Sequence, residues 1–299
     1  SMVEGVCMLH EQGAAIAAEA YARARDGLGC CLVTSGPGAT NAITGLVGAY
    51  IDSIPVIFIS GQAKIADLRQ DSGVRQFGIQ EVDILSMVKS YTKYAVQLTD
   101  LDSVRYEMEK AIAIALSGRP GPVWLDIPLD IQASQIDESS QREFKAENKV
   151  LQPYREDIDA TIQELNKAER PIFIIGHGIR LSHSIAEMRK LYEYVGIPVL
   201  TTWNGVDLIE DTHPLFFGRP GAVGQRAANF IQQKADCVIT IGTRLCLLNS
   251  GYNFGNFLKN AKHIMVDIDE AEMNKKSLHP YKKIHCDAKA FINALWIRK

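Results

Sequence analysis

Cys30-Cys31-Leu32-Val33-Thr34-Ser35-Gly36-Pro37-Gly38-Ala39-Thr40-Asn41 is the stretch whose reading decides the fold. Residues 30–34 form a short apolar run, which predicts a buried strand. Ser35-Gly36-Pro37-Gly38 forces a turn, because Gly and Pro dictate unusual dihedrals. Residues 41–50 are small and apolar, a composition for a closely packed helix. A strand that turns directly into a helix is the building unit of a parallel sheet, and ligands bind at the carboxyl ends of such strands. The loop thus has two readings, a ligand cradle with two glycines for close approach or a tight strand–helix turn.

Working outward, residues 11–25 are Ala-rich without Pro and predict a helix, broken at 27–29. Residues 55–60 and 122–127 predict two more buried strands. Residues 63–78 are polar and aperiodic and read as a long loop, a length at which loops are usually functional or disordered. Helices are expected over 81–89 and 102–116. Residues 128–153 are rich in Gln, Ser, Glu and Asp and read as an interdomain linker. The alternation then restarts. A helix is expected over 158–168, strands over 171–175, 198–202, 237–241, 263–268 and 283–286, and helices over 182–195, 223–234 and 288–295. Buried strands alternating with helices imply parallel sheets covered on both faces. The fold class is α/β, with two doubly wound parallel-sheet domains.

Composition agrees. A chain of 299 residues favours two domains. Hydrophobic residues at 46% and charged residues at 22% exclude a disordered or collagen-like chain. A formal charge of -3 argues against a nucleic-acid partner. No apolar run approaches the ~20 residues that span a bilayer. The six cysteines form no CxxC pair, Cys30 and Cys31 read as small core residues, and a reduced, cytoplasmic setting is expected. No secretory signal opens the chain. The histidines do not pair at metal-ligand spacing, and neither GxxxxGK[ST] nor GxSxG occurs. The opening Ser-Met reads as a cloning scar and suggests a fragment.

Several loop residues are candidates for chemistry. Glu11 opens the first helix, where a carboxylate is favoured by the helix dipole or serves as a first-turn cap. Gly176-His177-Gly178 is a GxG without the third glycine, which is a weak signal with a turn as its plain alternative. Gly218-Arg219-Pro220-Gly221 and Gly242-Thr243-Arg244 are further strand-end loops. Asp267 and Asp269 end a strand, where an acid can bind a ribose hydroxyl, cap a helix or pair with a surface Lys.

Longer motifs carry a resemblance. HEQGAAIAAEAYARA from His10, CCLVTSGPGATNAITGLVGAYIDSIPVIFISGQ from Cys30, QEVDI from Gln80 and GRPGPVWLDIPLDIQ from Gly118 resemble the pyrimidine-binding domain of the thiamine-diphosphate-dependent acetolactate synthase family. WNGVDLIEDTHPLFFGRPGAVGQRAANF from Trp203, ADCVITIGTRL from Ala235 and VDIDEAEMNK from Val266 are similar to its Rossmann-like central domain. The resemblance implies an N-terminal pyrimidine-binding domain over 1–128, incomplete at its start, a linker over 129–153 and a central domain over 154–299. The Gly-Asp-Gly and Asn-Asn motif that holds Mg²⁺ and the diphosphate in the family's third domain does not occur in these residues.

What the resemblance implies is specific. The activity would be decarboxylation of a 2-oxo acid, pyruvate foremost, with ligation of the two-carbon unit to a second carbonyl compound. Another thiamine-diphosphate decarboxylase or a C–C hydrolase is the near alternative, and a non-catalytic nucleotide-binding module the distant one. Glu11 matches the glutamate that hydrogen-bonds N1′ of the aminopyrimidine, a role that asks for an apolar pocket and a raised pKa. Gly36, Pro37, Gly38 and Asn41 would line the aminopyrimidine side. Gln62, Gln80 and Phe77 would face substrate, although the family keeps Phe-Gln-Glu contiguous and Gly78-Ile79 separates Phe77 from Gln80 here. Gly218, Arg219, Gly221, Gly242, Thr243, Arg244, Asp267 and Asp269 would meet FAD, with an ADP-like nucleotide or an empty cleft as alternatives. Phe-Asp-Asp-Arg, which follows Gly-x-Arg in many flavin-binding members, is replaced by Leu245-Cys246-Leu247-Leu248. A homodimer or homotetramer is implied, because family sites form between subunits.

Overall fold

A computed structural model of the chain describes residues 4–137, 139–147 and 149–298. The chain divides into two units, Ser1–Asn148 and Lys149–Lys299.

In the first unit the Ala-rich run forms α1 (Glu11–Arg25), started by the His10 imidazole accepting from Gln12 N–H and ended at Asp26 in the left-handed conformation. It leads into β1 (Gly29–Val33). The Gly-Pro turn then opens a short helix of its own, α2 (Pro37–Asn41), with Pro at the position where a helix needs no N–H. The small-residue helix follows as α3 (Ile43–Asp52). Next come β2 (Val56–Gln62), α4 (Ile84–Val88), β3 (Tyr94–Gln97), α5 (Val104–Leu116), β4 (Val123–Pro128) and α6 (Leu129–Ala133). The four strands pair in parallel in the order β1-β2-β4-β3.

The core explains the composition of α3. A methyl on Gly45 would lie 2.5 Å from Ala15 Cβ, so α1 and α3 touch where both present minimal side chains. Ala15, Leu46, Ala49, Phe58 and Trp124 are buried on that face of the sheet. Phe58 and Trp124 stack with ring centroids 5.1 Å apart. Ile57, Ala111, Val123 and Leu125 fill the opposite face under α5. The pair expected in the core is split. Cys31 is buried, whereas Cys30 is exposed and Leu32 is 73% exposed, because β1 is an edge strand whose alternate residues point to an uncovered face.

The polar stretch 129–153 does not stand apart as a connector. It starts in α6, and the division of the chain falls at 148/149. Residues 139–147 are strapped to α5. Phe144 N–H donates to Glu109 at 2.8 Å, and Gln141 bonds both Leu101 O and Arg105 N–H. The Phe144 ring meets Tyr106 edge-on at 5.5 Å.

The second unit comprises α7 (Arg155–Lys167), β5 (Pro171–Ile175), α8 (Gly178–Leu181), α9 (Ile185–Val195), β6 (Val199–Thr201), α10 (Arg226–Lys234), β7 (Cys237–Ile241), α11 (Leu247–Ser250), β8 (Lys262–Asp267), α12 (Glu270–Met273), β9 (Lys282–His285) and α13 (Ala288–Ile297). Its five strands are parallel in the order β6-β5-β7-β8-β9. That is the doubly wound 2-1-3-4-5 order, whose topological switch lies between β5 and β7. Phe173, Ile175, Ile239, Ile241, Ile264 and Val266 are buried under α7, α9 and α13.

Candidate active site

The β1–α2 turn organises the first unit's site. Gly36 sits at φ +59, and a Cβ there would lie 2.4 Å from the Gln80 carbonyl oxygen. Only glycine fits both the left-handed backbone and that approach. Gln80 is itself held at φ 57. Residues 44 positions apart in the chain are thereby locked together.

On one side of the turn stands Glu11. Its carboxylate accepts from Asn41 Nδ2 at 3.1 Å, and a Cβ on Gly38 would come within 3.6 Å of Glu11 Oε1. Glu11, Gly38 and Asn41 thus converge. The expected apolar pocket with a raised pKa is not what the chain provides. Glu11 is half-exposed, and the Asn41 hydrogen bond, together with its own backbone N–H, holds its carboxyl below the usual range. It is an ionised acceptor at the first position of a helix, where the dipole favours the charge.

On the other side is a cleft of about 940 Å³ at the carboxyl ends of β1, β2 and β4. Ser35, Gln62, Lys64, Ile79 and Gln80 line it, while Glu11 and Phe77 do not. Phe77 is 66% exposed on the long loop, and Ile79 stands next to Gln80 in the position flanking the cleft.

Gln62 is buried and committed at both ends. Its Nε2 donates to Asp126 at 3.0 Å and to Val82 O at 2.9 Å, and its Oε1 accepts from Ala63 N–H at 2.9 Å. It shapes the cleft wall through Asp126, a residue the sequence reading passed over. Asp126 is 1% exposed and also accepts from Ser60 at 2.6 Å and Gln97 at 2.9 Å. Trp124 Nε1 donates on to Ser60. Burial pushes the Asp126 carboxyl upward, against the lowering effect of its hydrogen bonds to Ser60, Gln97 and Gln62. The signal available in sequence was an aspartate inside an otherwise apolar strand.

Glu81 is the second residue that sequence reasoning missed. Read as a helix start, it lies before α4, whose cap is Asp83. Its buried carboxylate accepts from the backbone N–H groups of Arg69 at 2.6 Å, Phe77 at 2.9 Å and Gly78 at 3.1 Å. Although burial raises its pKa, those three donors win and leave it below the ordinary range. One carboxylate thus ties down the long loop and sets where Ile79 and Gln80 stand.

In the second unit the nominated loops meet at strand ends. Gly178 N–H donates to Gly242 O at 2.9 Å across the β5–β7 switch. A Cβ on Gly242 would lie 2.7 Å from Gly178 Cα, one on Gly218 would lie 2.2 Å from Gln225 Oε1, and one on Gly221 would lie 2.4 Å from Leu248 O. These glycines are therefore required by the chain's own close packing at the strand ends. Arg219 pairs with Asp211 at 2.7 Å. Thr243 is buried, and its hydroxyl accepts from Leu245 N–H at 3.4 Å, while Arg244 O accepts from Lys275 Nζ. Asp267 accepts from Asp269 N–H at 3.0 Å, and Asp269 caps α12. Two atoms do fit a polar ligand. Thr201 Oγ1, at the end of β6, and Arg219 Nε are buried without hydrogen-bond partners. Among the described residues no group of three or more His, Cys, Asp or Glu comes together as a metal site, and no helix is long and apolar enough to cross a membrane.

A half-exposed helix-start carboxylate beside a Gly-Pro-Gly turn, on a parallel sheet followed by a second doubly wound unit, defines a class of two-unit α/β proteins with ligand sites at strand ends. Family comparison makes this particular. Residues 2–87 match the thiamine pyrophosphate enzyme N-terminal TPP binding domain, and residues 158–295 match the thiamine pyrophosphate enzyme central domain. The chain belongs to the thiamine pyrophosphate enzymes. It is 37% identical over 293 residues to the acetolactate synthase isozyme 2 large subunit of Escherichia coli, an alignment covering 98% of this chain and 51% of that protein. It is 36% identical to the probable acetolactate synthase large subunit of Methanococcus aeolicus (89% and 44% covered). Against the acetolactate synthase large subunit of Corynebacterium glutamicum it is 34% identical (91% and 43%). The chain spans about half the length of the curated relatives it matches.

Proposed function

We propose that the chain supplies the aminopyrimidine-contacting half of the active site of an acetolactate synthase-like enzyme. Such an enzyme decarboxylates a 2-oxo acid, pyruvate foremost, and joins the two-carbon unit to a second carbonyl compound. The observation that carries this reading is the convergence of Glu11, Asn41 and Gly38 at the β1–α2 turn, in a chain similar throughout to acetolactate synthase large subunits. The donor set fits the cofactor, because an ionised carboxylate is the complement of a protonated ring nitrogen. Thiamine diphosphate, when bound, supplies the electron sink for carbon–carbon cleavage.

The chain's own residues have separable tasks. Glu11 accepts and holds a proton at its carboxylate. Asn41 fixes that carboxylate in place and keeps it ionised until a ring covers it, and exclusion of water then drives its pKa upward. Gly36 and Gly38 keep the approach open. Gln62, set by Asp126, and Gln80, set by Glu81, form the wall that would orient substrate, and Ile79 takes the flanking place assigned to Phe77.

Mg²⁺ and the diphosphate would be held by groups beyond these two units, supplied within a homodimer or homotetramer in the cytoplasm. FAD or an ADP-like nucleotide would lie at the carboxyl edge of the second sheet, a reading supported by Thr201 Oγ1 and Arg219 Nε. Calorimetric titration of the 299-residue chain tests the division of labour. Thiamine diphosphate with Mg²⁺ should bind weakly, and tight Mg²⁺-dependent binding would contradict it.

A further inference from the structure

The start of α1 divides two tasks that one residue could have held. A helix leaves its first N–H groups without partners of its own, and a polar side chain just before it or a carboxylate in its first turn can take them. Here the residue before the helix does so. His10 stands in extended backbone at φ -151 and ψ 143, and its Nδ1 accepts from Gln12 N–H at 3.1 Å. Its carbonyl accepts the first bond of the helix, from Ala14 N–H at 3.0 Å. Ser, Thr, Asp and Asn are the usual residues at this place. An imidazole that caps in this way is neutral. A backbone N–H can only donate, so Nδ1 carries a lone pair and the ring proton sits on Nε2.

Glu11 follows at the first helical position and is the one acidic residue of that turn. It is the acceptor that would turn to Gln12 N–H if His10 did not hold it. Relieved of that task, its Oε2 accepts instead from Asn41 Nδ2 at 3.1 Å, beside the open face of Gly38. The Asn41 hydrogen bond already does most to lower the Glu11 carboxyl, and a charge on His10 would act in the same direction. Each further donor or positive charge makes a proton harder for the carboxylate to take up. A neutral cap that occupies Gln12 N–H adds neither.

We propose that His10 is a positioning residue for Glu11, a neutral cap that holds the start of α1 and keeps the Glu11 carboxylate available to the aminopyrimidine. Its purpose rests on the thiamine-diphosphate reading, whereas the cap belongs to the chain alone, and the test separates the two. It compares His10→Ala, His10→Asn and Glu11→Gln. In the ¹³C- and ¹⁵N-labelled 299-residue chain, His10→Ala should accelerate amide exchange at Gln12 by at least about fivefold. It should also move the Glu11 carboxyl titration to lower pH, as the carboxylate takes over the freed N–H. His10→Asn, which caps without an imidazole, should restore both. In the assembled enzyme, thiamine C2-proton exchange should slow by at least about tenfold in His10→Ala and return to within about threefold of the unaltered rate in His10→Asn. Unaltered Gln12 exchange and Glu11 titration in His10→Ala would overturn the proposal, and so would equal slowing of C2 exchange in His10→Ala and His10→Asn. Glu11→Gln tells the readings apart. If it leaves C2 exchange unaltered, the thiamine-diphosphate reading falls; if it slows the exchange and His10→Ala does not, the positioning role of His10 falls.

Discussion

Asp126 shows how much one side chain can organise. Its carboxylate takes hydrogen bonds from Ser60, Gln62 and Gln97, which sit on β2 and β3 on either side of its own strand. Removing the acceptor orphans three buried or half-buried donors, each worth about 1–3 kcal/mol when left unsatisfied. Asp126→Ala should therefore destabilise the first unit by about 3 kcal/mol or more in urea unfolding, and a loss under 1 kcal/mol would show that Gln62 and Gln97 find other partners. In the second unit, His263 is 3% exposed with Nε2 3.0 Å from Thr240 Oγ1, and burial pushes its imidazole down to about 4 from 6.5. The folded chain keeps it neutral while the unfolded chain protonates it below pH 6.5. Its contribution is thus present above pH 6.5 and is lost as pH falls from 6.5 to about 4, a change of about 3 kcal/mol. His263→Gln, which can keep a bond to Thr240, should flatten the stability–pH curve across that window. An unchanged slope would place the acid sensitivity elsewhere.

At the scale of elements, the strands were legible where burial is complete. Residues 171–175 and 237–241 were read with the bounds that β5 and β7 have, because strands covered on both faces are continuous apolar runs. β3 was not legible. It has four residues, all half-buried, and an edge strand needs no apolar run. α2 was hidden because Gly-Pro-Gly reads as a turn even where Pro opens a helix. The site was half legible. Glu11, Gly36, Gly38 and Asn41 announce themselves by motif, whereas Asp126 acts through partners 29 to 66 positions away and Glu81 acts on a loop without periodicity. The strap over α5 was missed since its polar composition, read as a linker, conceals the Phe144 contact. The loop held by Glu81 makes a prediction of its own. Glu81→Ala removes the acceptor of three backbone donors, so amide exchange at Arg69, Phe77 and Gly78 should accelerate by at least about tenfold while β2 and β4 stay protected. Equal rates in both proteins would show that the loop holds its shape without Glu81.

For the whole molecule, the two units carry different kinds of site. The first presents an ionised carboxylate at the mouth of a parallel sheet, next to a cleft walled by glutamines. The second packs its strand-end glycines against its own chain and leaves a few polar atoms unmatched at the edge. In the proposed enzyme the first unit's contribution is the proton at Glu11. Thiamine C2-proton exchange, followed by NMR in the assembled enzyme carrying this chain, measures that contribution directly. Glu11→Gln should slow the exchange by at least about 100-fold without moving the thermal midpoint. Exchange at the unaltered rate would remove Glu11 from the mechanism and the aminopyrimidine from this site.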